Sequence, residues 1–87
     1  MSIHIKIESV TSNIRIVEKA IDEATAEIGI SPENYGKILV STLEAVNNAI
    51  IHGNNSIPDK IVEVDIRFRN NEMRIKVTDE GFGFNPG

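Results

Sequence analysis

Eighty-seven residues make one small domain, and 40% hydrophobic with 25% charged content argues against a disordered chain. Nine Lys+Arg against thirteen Asp+Glu give a net charge of −4, so the surface repels phosphate backbones and direct nucleic-acid binding is not expected. No apolar run approaches the roughly 18 residues of a membrane span, and the lack of cysteine excludes disulfide scaffolds, thiol catalysis and Cys-based zinc sites.

In the opening segment Ile3, Ile5 and Ile7 alternate with His4, Lys6 and Glu8, the pattern of a half-buried strand. The same alternation lacks the continuous apolar core of a signal peptide, and a cytoplasmic address is the default expectation. Ser12 or Asn13 then stands where a helix cap belongs. Ile14, Val17, Ile21, Ala24 and Ile28 follow at helical spacing, and Gly29 suits the left-handed residue that ends a helix. Ser31-Pro32-Glu33-Asn34 starts a second helix, with Ser as cap and Pro in the first turn. Ile38, Leu39, Ala45, Val46, Ala49 and Ile50 form its apolar stripe, and His52-Gly53-Asn54-Asn55 is read as its end. Residues 53–60 are rich in turn formers. Val62, Val64, Ile66 and Phe68, then Met73, Ile75 and Val77, alternate with polar residues around Asn70-Asn71, which spells a β-hairpin. The glycine-rich segment from Asp79 to Gly87 closes the sequence. Two helices on one face of this hairpin plus the first strand give an α+β two-layer sandwich with a mixed or antiparallel sheet.

Two constellations carry candidate chemistry. Glu44 and Asn48 lie four residues apart, as do Asn48 and His52, so they share one helical face. A carboxylate there can act as a general base, and an amide oxygen can ligate a hard cation such as Mg²⁺. The same spacing also suits a solvated face, and His52 suits a cation at a helix C-terminus. The second constellation is Asp79-x-Gly81-x-Gly83 at a strand's end. Its carboxylate can accept from an exocyclic amine, and its glycines permit positive φ and close backbone approach; a fraying terminus reads the same way. Arg67, Arg69, Arg74 and Lys76 form a basic strip on the hairpin's polar face, and Arg15, Glu18, Lys19, Asp22 and Glu23 a charged face on the first helix.

Taken in order, Glu44-Ala45-Val46-Asn47-Asn48-Ala49-Ile50-Ile51-His52-Gly53 resembles the N box of the GHKL ATPases, and Asp79-Glu80-Gly81-Phe82-Gly83-Phe84 resembles their first glycine box. The His-Gly after Asn-Ala is most similar to the bacterial anti-sigma-factor serine/threonine-protein kinase branch. The resemblance implies a Bergerat-type ATP-binding fold, with ATP and Mg²⁺ as cofactors. It implies that Glu44 is the catalytic carboxylate that takes the proton of a protein serine, and that Asn48 ligates Mg²⁺. It further implies that Asp79 accepts from adenine N6, and that Gly81 and Gly83 let the backbone wrap the base. A sigma factor and an anti-anti-sigma protein are the implied partners.

The family's chain continues into a lid, a second glycine-rich phosphate motif, a further helix and a further strand, none of which lies in residues 1–87. Lys37 and Lys60 have no phosphate motif around them. The expectation is a truncated domain that holds the adenine half of the pocket and is not by itself a competent kinase. The last strand then has an open edge and an uncovered apolar face, from which a homodimer or other self-association is expected. Two alternative readings are the ATPase domain of a two-component sensor histidine kinase and a non-catalytic sigma-factor-binding module.

Overall fold

The structure is a computed structural model and describes residues 1–81. Strand β1 (Ser2–Glu8) leads through a 3-10 turn (Thr11–Asn13) into helix α1 (Ile14–Ile28). Helix α2 (Pro32–Asn48) continues into a π-turn (Ala49–Gly53), and β2 (Ile61–Arg69) and β3 (Glu72–Thr78) complete the fold. The strands form one antiparallel sheet in the order β1-β2-β3. Both helices lie against one face of it, which is the α+β two-layer arrangement that the hydrophobic periods imply.

Register explains the layers. Ile3, Ile5 and Ile7 face Ile66, Val64 and Val62, and beyond them Ile66, Val64 and Phe68 face Ile75, Val77 and Met73. Because strand side chains alternate, these residues form one continuous apolar face. Val17 and Ile21 of α1, Val46 of α2, and Ala49 and Ile50 of the π-turn pack onto it. Ile21, Ile50 and Ile66 are fully buried, each contributing about 1.5–3 kcal/mol relative to exposure.

The opposite face carries the polar residues of the alternation. It is charged: His4, Asp65 and Lys76 lie in one row across the strands, and Ser2, Arg67 and Arg74 in another. On the helix side, Met73, Ile75 and Val77 of β3 are only partly buried. The edge of β3 does stand as expected, since among the described residues this strand pairs only with β2.

Local signals are mostly realised. Gly29 takes φ +82° and its amide donates to Thr25 O at 3.0 Å. Ser31 Oγ accepts from Asn34 N at 3.3 Å, with Pro32 opening α2. Asn70 and Asn71 both have positive φ, 55° and 62°, as a two-residue hairpin turn with right-handed strand twist requires. Asn13 stands at the N-cap position of α1 but makes no side-chain capping bond. The chain enters through the 3-10 turn instead, and Asn13 Nδ2 donates back to Glu8 O at 3.1 Å. Ala45, assigned to the apolar stripe, is exposed; it sits about 100° from Val46 on the helical wheel, and the helix is buried through Thr42, Val46, Ala49 and Ile50.

Candidate functional site

Helix α2 supplies the first part of the site. Glu44 and Asn48 are both exposed, one turn apart, on the side turned away from Val46 and Ile50. Neither side chain is spent in packing, and both are accessible to a ligand. Val40 and Ile51 are also exposed on this side, at 59% and 36%. His52 is exposed in the last helical turn, where a cation is favoured by the helix dipole.

The helical run that begins with α2 ends at His52-Gly53, as the sequence reads, but through a turn of a different kind. Five residues, 49–53, form a wider turn, closed by Asn54 N donating to Ala49 O at 2.8 Å. Such π-turns recur at functional sites. This one carries the helix one turn further, so that Gly53 and Asn54 continue the inward stripe of Val46 and Ile50.

Gly53 and Asp79 join the two motifs. A Cβ placed on Gly53 would overlap the Asp79 carboxyl group, at both Oδ2 and Cγ. The aspartate carboxyl group thus rests directly on the bare backbone of the helix end. Any other residue at position 53 would displace it.

Asn54 reads in the sequence as a loop residue and carries no motif-level site signal there. It is fully buried and uses its whole hydrogen-bonding capacity. Nδ2 donates to Ser9 Oγ at 2.8 Å and to Ile61 O at 3.1 Å. Oδ1 accepts from Glu80 N at 2.8 Å and Gly81 N at 3.0 Å. Ser9 Oγ in turn donates to Lys60 O at 2.7 Å. The signal that could have revealed it was its place four residues after Ile50 on the inward stripe.

Further contacts hold the same segment. Lys60 Nζ donates to Gly81 O, and Ile61 N donates to the Glu80 carboxylate. Lys60 is therefore engaged with the Asp79–Gly81 segment, while Lys37 pairs with Glu33 at 3.8 Å along α2. Gly81 takes φ +65°, the left-handed conformation for which glycine is suited. Gly83 lies outside the described residues.

Asp79 also borders a groove of about 370 Å³ with Lys6, Ile61, Glu63, Thr78 and Glu80. Its walls come from the strands and the segment after β3; Glu44 and Asn48 do not line it. Among the described residues no cluster of three or more His, Cys, Asp or Glu forms a metal site. The Asn48 amide oxygen is of the donor type that a hard cation such as Mg²⁺ accepts. Among the described residues no helix is long and apolar enough to cross a membrane.

Comparison with known proteins points in the same direction. The family model described as "Histidine kinase-like ATPase domain" matches residues 7–87. The anti-sigma F factor of Clostridium botulinum (strain Alaska E43 / Type E3) is 28% identical over 80 residues, covering 82% of this chain and 56% of that protein. The anti-sigma F factor of Geobacillus sp. (strain WCH70) is 26% identical over 80 residues, covering 92% of this chain and 55% of its own length. That of Geobacillus stearothermophilus is 28% identical with the same coverage. The chain thus spans about half the length of the curated relatives it matches.

Proposed function

We propose, from the premise that this chain belongs to the histidine-kinase-like ATPase family, that it is the ATP-binding part of an anti-sigma-factor serine-protein kinase. The observation that carries this reading is the contact between Gly53 and Asp79. It brings the end of the Glu44–Gly53 motif against the start of the Asp79–Gly81 motif, although 25 residues lie between them in sequence.

In this reading Glu44 takes the proton from the attacking hydroxyl of a protein serine, as a positioned general base. One turn on, Asn48 would hold Mg²⁺ through its amide oxygen, and the ion would supply the charge neutralisation that phosphoryl transfer requires together with positioning. Asp79 accepts the N6 amine of adenine. Gly81, already at positive φ, lets the backbone approach the base, and Gly83 extends that role. The partners are a sigma factor and an anti-anti-sigma protein that carries the phosphorylated serine, in keeping with the anti-sigma F factor relatives. Self-association through the β3 edge belongs to the same proposal.

The test is Glu44→Ala in the protein that carries this chain. Phosphotransfer to the serine substrate should fall by about 10²–10⁴-fold, the usual worth of a general base, while ATP and partner binding remain. Unchanged phosphotransfer would contradict the assignment. Sigma-factor binding by a wild-type protein with no phosphotransfer would favour the non-catalytic binder.

A further inference from the structure

We infer that Asn54 is the positioning residue for base selection: it fixes the backbone that follows Asp79, and so sets the preference for a 6-amino over a 6-oxo purine. The inference rests on the proposed role of Asp79 and extends it to a residue that touches no ligand.

Three observations lead there. All four hydrogen-bonding positions of the Asn54 amide are filled, and the residue is wholly buried, so its orientation is determined rather than averaged. Its donors are anchored to the end of β1 through Ser9 and to the start of β2 through Ile61. Its acceptor oxygen takes the two amides that follow Asp79, those of Glu80 and Gly81. The regular β2–β3 pairing ends at Thr78, so the chain passes from the sheet to the Asn54 carbonyl oxygen at the point where Asp79 lies.

Discrimination between an amine and a carbonyl depends on a carboxylate held in place. A carboxylate free to swing aside tolerates the wrong partner, whereas a fixed one presents an unpaired acceptor to it. Gly53 bounds the Asp79 side chain on one side, and Asn54 bounds its backbone. Adjacent residues at one helix end therefore control both degrees of freedom.

The test titrates Mg·ATP and Mg·ITP calorimetrically into the wild-type protein, Asn54→Ala, Asp79→Asn and Val17→Ala. Val17 is a buried α1 residue outside the site and controls for general destabilisation. Wild type should prefer ATP. Asn54→Ala should lower the ATP-over-ITP ratio by about tenfold, the scale of one hydrogen bond. Val17→Ala should lower the melting temperature and leave the ratio unchanged. If Asp79→Asn collapses the ratio and Asn54→Ala does not, Asn54 is only structural and the inference falls while the reading of Asp79 stands. If wild type shows no preference, or Asp79→Asn leaves it intact, that reading fails and the inference with it. Should Asn54→Ala not fold, amide exchange in the wild type decides. Protection of the Glu80 and Gly81 amides comparable to β2 supports the inference, and exchange at the unprotected rate overturns it.

Discussion

Gly53 is the residue where the structure sharpens the sequence most. A glycine after a histidine at a helix end reads as a stop signal, with conformational freedom as its purpose. Its real constraint is space, because the Asp79 carboxylate occupies the position of the missing side chain. Gly53→Ala should therefore fold, since a short side-chain end can move aside, but with the carboxylate displaced. ATP affinity is expected to fall by roughly tenfold or more, with a melting temperature near that of wild type; unaltered affinity would show that the contact is unimportant to binding. Asn54 was hidden for a related reason. Its partners come from residues 9, 61, 80 and 81, and no local pattern announces bonds that only the fold brings together. Glu44, Asn48, Asp79 and Gly81 stand out in the sequence because the chemistry proposed for them depends on short spacings.

At the level of elements, the strands were readable from period-two alternation, and the Asn70-Asn71 turn from its tolerance of positive φ. The polar rows across the sheet were not readable, because they depend on register. His4 Nδ1 meets Asp65 Oδ1 at 2.5 Å where β1 pairs with β2, and His4 Nε2 lies 3.6 Å from Glu63. The hydrogen bond to Asp65 holds the His4 imidazole above its ordinary value of 6.5, and the same bond holds the Asp65 carboxyl below its ordinary 3.8. The signs follow from linkage. Stabilisation through His4 is complete below 6.5 and is lost as pH rises through its raised value. Stabilisation through Asp65 is present above 3.8 and is lost as pH falls through its lowered value. The pair thus ties β1 to β2 most strongly between those two ordinary values. An NMR titration of His4 should give a midpoint above 6.5 that returns toward 6.5 in Asp65→Asn; a midpoint insensitive to that change would remove the pairing. Helix ends were the least legible elements. The 3-10 entry to α1 and the π-turn after α2 both depend on where the chain must meet the sheet, at Glu8 and near Asp79.

For the whole molecule, hydrophobic periods sufficed to place two helices on one face of a three-stranded sheet, because each apolar stripe has a single compatible partner surface. They also marked the other face as polar; which charges meet across it depended on register. The β3 edge and the partly buried Met73, Ile75 and Val77 beside it are where self-association is proposed. Light scattering at high protein concentration should detect species larger than a monomer, and a clean monomer would remove that part of the proposal. The central claim is that the exposed face of α2 and the segment after β3 form one nucleotide site. Titration of Mg·ATP into isotopically labelled protein, followed through backbone amide resonances, tests it most directly. Glu44, Asn48, Asp79 and Gly81 should shift together along one saturating curve, while Arg67 and Asn70, farther along the hairpin, stay in place. Shifts confined to one of the two segments, or none at any of the four residues, would contradict it.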